Sequence, residues 1–148
     1  MPSDVEAISA LVMTYAERID AGDLDGVAAL FEHATWRSSV RAEPLRGAAE
    51  VRRAYDGVLL YDGVPGTRHV VTNLVVELEP PDRARARSTF TVFQARPDFP
   101  LQPVICGRYH DTFERIAGAW RFADRLIVPE LIGDLSRHLR PGPGPVRE

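Results

Sequence analysis

The sequence contains no lysine, because all 18 of its cationic residues are arginines. This absence excludes chemistry that depends on a lysine amine: a Schiff-base nucleophile, a pyridoxal phosphate anchor or the lysine of a phosphate-binding loop. Cys106 is the single cysteine, so no internal disulfide can form. The net charge of −3 and the scattered arginines give no basic block, which argues against a nucleic-acid partner.

Long apolar runs and chemical signature motifs are also lacking. No window approaches the roughly 20 consecutive apolar residues that cross a bilayer, so we expect no membrane partner. The opening stretch MPSDVEAISA lacks the basic start and apolar run of a secretory signal, and we therefore expect a cytoplasmic protein. The histidines show no metal-binding spacing, and no GxSxG or glycine-rich nucleotide motif occurs, so we expect neither a metal nor another cofactor.

The 148 residues, 45% of them hydrophobic, suffice for one domain with its own core. We expect this domain to span residues 1–132. The remaining residues, 133–148, end in RPGPGPVRE, whose prolines and glycines oppose a helix or a central strand. We therefore expect them to form a mobile tail.

The spacing of apolar residues predicts helices in the first half of the chain. Apolar residues recur at three- and four-residue intervals over residues 4–21, which predicts an amphipathic helix. Gly22 supplies a left-handed stop, and Asp23 is placed to cap a second helix. The sequence pattern of residues 34–41 predicts a short strand, and a third helix is expected to begin at Gly47.

From Thr67 the pattern changes to alternation, which predicts strands at 67–79, 83–96, 103–116 and 119–128. Three helices followed by a long antiparallel sheet predict an α+β fold, in which the helices cover one face of a curved sheet. Such a sheet forms a cone, and its open end is a concave pocket suited to a small molecule.

The first long strand, TRHVVTNLVVELE, places polar residues among valines. Strict alternation puts His69 and Asn73 on the same face as Val71. A mixed face of this kind suits the wall of an enclosed cavity that needs hydrogen-bonding groups. The simpler alternative is that His69 lies half exposed near a sheet edge.

Asp20 lies in the last turn of the predicted first helix, where the partial negative charge of the helix end disfavours a carboxylate. A partner would explain this placement. A carboxylate that accepts the imidazole N–H would fix the tautomer of His69 and raise the basicity of its other ring nitrogen. The alternative is an ordinary exposed aspartate beside the turn that follows.

Three segments, RIDAGDLDGVAALF, TRHVVTNLVVELE and GRYHDTFERIAGAWRFADR, resemble the SnoaL-like branch of the nuclear transport factor 2-like superfamily. The resemblance extends to about residue 128 and implies the cone-shaped α+β barrel of that superfamily. The layout is most similar to the lindane dehydrochlorinase and scytalone dehydratase group. In that group an aspartate ends the first helix and a histidine lies early in the first long strand, and Asp20 and His69 stand at those positions.

The resemblance implies that His69 is a general base and that Asp20 stabilises the imidazolium formed. Arg125 follows Trp120 by five residues, as an arginine does in the dehydrochlorinase, and Tyr15 stands where that enzyme has a lysine. Arg125, Tyr15 and Asn73 are candidates for binding substrate or for stabilising developing negative charge.

Each of these candidates also has a simpler interpretation. Arg125 would otherwise be a surface arginine, Tyr15 a core residue, and Asn73 a partner for neighbouring backbone groups. His110 is a further pocket candidate, although it shares a strand face with Arg108, a combination typical of a solvated surface.

These residues predict a cofactor-independent lyase or isomerase, such as a dehydratase or a dehydrohalogenase, acting on a small, fairly apolar, cyclic molecule. A polyketide cyclase or an epoxide-opening enzyme would use the same pocket, with Asp20 as the main acid or base. A third hypothesis is a non-catalytic ligand-binding or assembly module. The sequence leaves the substrate open, as well as the choice among elimination, isomerisation and cyclisation.

Large apolar residues of the predicted sheet also suggest self-association. They exceed what one helical layer is expected to cover, and they are Val92, Phe93, Tyr109, Phe113 and Trp120. We therefore expect a homodimer or a homotrimer.

Overall fold

The computed structural model describes residues 1–141. Its helices are α1 (Asp4–Asp20), α2 (Leu24–Ala29) and α3 (Gly47–Ala54), and a 3₁₀ turn at Tyr55–Gly57 follows α3. Its strands are β1 (Thr35–Ser38), β2 (Leu45–Arg46), β3 (Thr67–Glu79), β4 (Arg83–Arg96), β5 (Phe99–Ile116) and β6 (Ala119–Ile132). The predicted helices and strands are all present, and the two-residue strand β2 is an addition that the sequence pattern did not indicate.

The helical hairpin is built from local signals. Ser3 and Glu6 form a capping box at the start of α1. Gly22 has a φ of 76°, and a Cβ there would lie 1.9 Å from the carbonyl oxygen of Gly63, so only glycine fits this turn. The Asp23 side chain then accepts a hydrogen bond from the backbone N–H of Gly26 and caps α2.

The six strands form one sheet in the order β2-β1-β6-β5-β4-β3. β1 runs parallel to β6, and every other pairing is antiparallel. β2 and β3 lie at the two edges, so the curved sheet does not close on itself. The predicted α+β architecture, with helices on one face of a curved and mainly antiparallel sheet, is confirmed.

The inner face of the sheet packs on the protein's own helices. Val92, Tyr109 and Phe113 are buried there without a second copy of the chain, and Phe93 and Trp120 are partly buried. Our reason for expecting self-association, that these residues need a partner to cover them, is therefore wrong for Val92, Tyr109 and Phe113. A homodimer or homotrimer stays a prediction without that support.

A bulge interrupts β3 between Thr72 and Val75 and reverses which residues face the core. Asn73 lies in the bulge with a φ of 52°, a left-handed conformation that asparagine tolerates better than most residues. Before the bulge His69 points inward, whereas after it Leu74 packs against the core. Strict alternation along β3 is therefore wrong beyond Thr72, because it ignores the extra residue.

The chain continues past β6 as residues 133–141, here named the C-terminal segment. Backbone hydrogen bonds join it to the loop after α3: the Leu59 N–H donates to the His138 carbonyl at 2.8 Å, and the Arg140 N–H donates to the Gly57 carbonyl at 2.8 Å. The described part of the expected tail thus packs against the domain, and residues 142–148 lie outside the described residues. Among residues 1–141, no helix has the length and apolar character to cross a membrane.

Candidate active site

Asp20 and His69 meet where the end of α1 crosses the start of β3. His69 Nδ1 lies 2.6 Å from Asp20 Oδ1. The same carboxylate accepts the backbone N–H of His69 at 2.8 Å and the hydroxyl of Thr67 at 2.9 Å. The side chains of His69 and Asp20 are 7% and 14% exposed, so the pair is largely withdrawn from solvent.

This set of donors determines the protonation of the pair. Burial alone would raise the pKa of Asp20, but the hydrogen bonds and charge of His69 and the hydroxyl of Thr67 together hold that pKa below its usual value. An ionised carboxylate only accepts hydrogen bonds, so Nδ1 of His69 carries the proton that it donates. In the neutral imidazole the other nitrogen, Nε2, is then a free base.

His69 forms part of the wall of a cavity of about 520 Å³ between the helices and the inner face of the sheet. This volume lies within the usual range for small-molecule sites. Most of the lining is apolar or aromatic, including Ile19, Val58, Phe90, Ile105, Ile127 and Leu139. The exposed Arg41 lies at the edge of the cavity, on the loop after β1.

Three aromatic side chains with polar atoms lie in a hydrogen-bonded row on the same cavity wall. The hydroxyls of Tyr15 and Tyr55 are 2.5 Å apart, and Trp36 donates its indole N–H to the Tyr55 oxygen at 3.1 Å. All three residues line the cavity. Burial raises the pKa of Tyr55 well above its ordinary value, and it also raises the pKa of Tyr15, so both phenols keep their protons at neutral pH.

Arg125 lies behind this wall and does not line the cavity. Its side chain is fully buried and donates twice to Asp111, at 2.8 and 3.0 Å. Its guanidinium carbon lies 4.2 Å from the ring centroid of Tyr15 and 3.8 Å from that of Tyr109, and both rings face the cavity. Arg125 is thus neither a surface residue nor one placed to touch a ligand.

Two further candidates lie away from the cavity. Asn73 is exposed in the bulge of β3. His110 is exposed on the outer face of β5, where it borders a groove with Arg87 and Asp124. The structure therefore brings together Asp20, His69 and Tyr15, and it separates Asn73 and His110 from them.

Sequence reasoning missed Tyr55, Trp36 and His138 as cavity residues. By its spacing from Gly47, Tyr55 falls among the apolar positions of the expected third helix, although it lies in the 3₁₀ turn that follows, and its hydroxyl is the available signal. His138 gives no such signal, because in the sequence it follows the last predicted strand and precedes a proline-rich stretch. Its flanking residues Leu135 and Leu139, both packed on the core, were the weak indication that this part of the chain is buried.

Comparison with known proteins places the chain in a family. Residues 2–126 match the family model of the SnoaL-like domain, so the chain belongs to that family. The resemblance drawn from the three sequence segments is confirmed at this level. His138 and the rest of the C-terminal segment lie beyond the matched residues.

Solved structures show the same fold. A variant of Rv3472 from Mycobacterium tuberculosis, a protein of unknown function, is 25% identical, with a TM-score of 0.71 over 87% of this chain and 73% of that one. A protein of Novosphingobium aromaticivorans provisionally named a scytalone dehydratase is 20% identical, with a TM-score of 0.72 over 93% and 92% of the two chains. The β subunit of a provisionally named aromatic-ring-hydroxylating dioxygenase from that organism is 17% identical, with a TM-score of 0.69 over 91% and 95%.

Proposed function

We propose that this protein is a cofactor-independent lyase or isomerase that removes a proton from a small, mainly apolar, cyclic substrate. The observation that carries the proposal is the hydrogen bond between Asp20 and His69 at the wall of a 520 Å³ cavity. Asp20 holds the proton of His69 on Nδ1. The other ring nitrogen, Nε2, therefore has a free lone pair that can accept a proton from a molecule in the cavity.

In the proposed step, Nε2 of His69 takes a proton from a C–H or O–H of the bound molecule. In an elimination, the electron pair left on carbon forms a C=C bond while the neighbouring leaving group departs with its own bonding pair. In an isomerisation, the electron pair moves toward an adjacent carbonyl oxygen to give an enolate, and another carbon of the enolate then takes back the proton from the imidazolium of His69. Asp20 stabilises the imidazolium in both cases, and a positioned base of this kind contributes on the order of 10² to 10⁴ in rate.

The two phenols are the proposed hydrogen-bond donors that stabilise the negative charge developing on the substrate. The Trp36 indole can only donate, so the Tyr55 oxygen accepts from it. One of the two phenols, Tyr15 or Tyr55, donates its proton to the oxygen of the other. The proton of the second phenol then has no partner among residues 1–141. That proton is available to an oxygen of the ligand in a mainly apolar cavity, where a preorganised donor is most effective.

Arg125 acts on this step through Tyr15. Burial raises the pKa of Tyr15, and the positive charge of Arg125 opposes that rise. A phenol held near a cation is a stronger hydrogen-bond donor than an isolated one. Arg125 is therefore proposed as a positioning residue, behind the group that would touch the ligand.

The hypothesis with Asp20 as the direct acid or base is less favoured. Its oxygens already accept from Thr67 and twice from His69, and Asp20 is not part of the cavity lining. A cyclase or epoxide-opening enzyme would need that carboxylate at the ligand. A non-catalytic binding module would keep the cavity and make no use of the basic nitrogen.

The experiment measures proton removal by wild type and by His69→Gln, with His110→Gln as a matched control on the outer face. Wild type is screened against cyclic alcohols, halides and polyketide intermediates, and for exchange of the α-protons of β-tetralone in D₂O. His69→Gln is expected to lose about 10²- to 10⁴-fold in rate, whereas His110→Gln keeps the wild-type rate. Full activity in His69→Gln contradicts the proposal, and binding without turnover or exchange favours the binding module.

A further inference from the structure

The C-terminal segment supplies one wall of the cavity and carries His138 to it. Two side chains hold the adjacent carbonyl of Arg137: the amide of Gln94 donates to it at 2.9 Å and the hydroxyl of Tyr61 at 2.6 Å. Gln94 is itself buried on the inner face of β4. Together with the backbone bond from Leu59, these contacts fix His138 beside His69.

His138 is 6% exposed, and its imidazole has no hydrogen-bond partner in the described part of the chain. No hydrogen bond joins either of its ring nitrogens to a residue within 1–141. Nδ1 is fully enclosed by the protein, so Nε2 is the nitrogen left to contact a ligand. Its ring centroid lies 6.3 Å from that of His69, with the two rings near perpendicular. Buried polar groups are nearly always hydrogen-bonded, so a cavity-lining imidazole with no partner indicates that a ligand supplies one.

The protonation state of His138 decides what it can offer. Burial, as the largest cause, and the charge of His69 together lower its pKa to about 4, although the carboxylate of Asp20 opposes them. At neutral pH the ring is therefore uncharged and carries one N–H. A neutral imidazole in this position donates a hydrogen bond to an oxygen and is a poor binder of anions.

We propose that His138 is a second ligand-contacting residue of the cavity and that it donates a hydrogen bond to a carbonyl or hydroxyl oxygen of an apolar cyclic ligand. The ligand class is thus a cyclic ketone or alcohol, with its oxygen close to the atom whose proton faces His69. The inference deepens the proposed function, on which it rests for the reaction, whereas its binding claim holds whether or not the molecule is turned over.

The test compares two probes of the same shape, tetralin and β-tetralone, of which only the second has an oxygen. Dissociation constants are measured for wild type, His138→Phe and His138→Gln. Wild type is expected to prefer β-tetralone, and His138→Phe to reduce that preference about 3- to 10-fold, as the loss of one neutral hydrogen bond predicts. Tetralin affinity should be kept in His138→Phe, and His138→Gln, which retains an N–H donor, should keep most of the preference.

Tyr55→Phe is the control for the other donor in the cavity. If the preference for β-tetralone survives in His138→Phe and disappears in Tyr55→Phe, the proposal is overturned. An equal loss of affinity for both probes in His138→Phe also overturns it, because His138 then only packs.

If His138→Phe does not fold, the ¹⁵N chemical shifts of His138 in wild type decide. They are expected to move with β-tetralone and not with tetralin, and equal behaviour with both probes overturns the proposal. Loss of exchange in His69→Gln is a separate readout, so the two proposals can fail independently.

Discussion

On the inner side of the sheet, Asp111 and Asp20 are each hydrogen-bonded to a basic side chain, and these two pairs differ in what they leave accessible. The Asp111–Arg125 pair is completely enclosed, with both side chains at 0% exposure and the guanidinium held between tyrosine rings. The Asp20–His69 pair has a contact of 2.6 Å, against 2.8 Å in the enclosed pair, yet His69 is part of a cavity wall. Burial and pairing are common to both, so access to the cavity is what separates them.

This difference shows why a buried charge alone does not identify a functional group. The carboxylate of Asp111 raises the pKa of Arg125 above its ordinary value although burial opposes the charge, so Arg125 stays a cation. A permanently charged group that touches no ligand can exchange no proton. His69 has one nitrogen committed to Asp20 and one uncommitted, and that asymmetry is what base catalysis needs.

The largest expected effect comes from breaking the enclosed pair. Asp111→Leu or Arg125→Met leaves a buried charge without its counterion, and we expect the free energy of unfolding to fall by about 3–5 kcal/mol. Urea denaturation measures this loss directly. The double replacement Asp111→Leu with Arg125→Met removes both charges and is the control, because it should be more stable than either single variant. Losses that simply add in the double variant would show that the charges do not act as a pair.

A smaller loss of stability is expected from Asp20→Asn, about 1–3 kcal/mol at pH 7, because hydrogen bonds to a charged acceptor are lost. The pKa of Asp20 is lowered in the folded protein, so its ionised form adds stability above the unfolded pKa near 3.8, and that stability is lost as the pH falls through the folded value. The difference between wild type and Asp20→Asn should therefore shrink in acid. Urea titrations at pH 7 and pH 3 test this, and a constant difference contradicts it.

The smallest effect is expected on the outer face. His110→Gln should change the free energy of unfolding by less than about 0.5 kcal/mol, because His110 is exposed and has no hydrogen-bonded side-chain partner within residues 1–141. Turnover or exchange should stay within about twofold of wild type, since no cavity contact is removed. A large loss of activity would mean that the cavity is not the site of the chemistry.

The sequence pattern predicted the elements well, because apolar spacing reports which side of a helix or strand is buried. It predicted Asp20 and His69 as partners from an unfavourable helix-end charge and a mixed strand face, and the hydrogen bond between them is present. It failed for Asn73 because a one-residue bulge reverses the facing of a strand and leaves the composition unchanged. It failed for His138 because only tertiary packing brings the C-terminal segment back to the cavity.

The tautomer of His69 tests the central claim most directly, and it needs no substrate. ¹⁵N NMR of histidine-labelled wild type near pH 7, with His69→Gln used to assign the signals, reports which ring nitrogen carries the proton. We expect a protonated Nδ1, bound to Asp20, and an unprotonated Nε2 facing the cavity. A neutral ring protonated at Nε2 would contradict it, since the nitrogen at the ligand could then accept no proton.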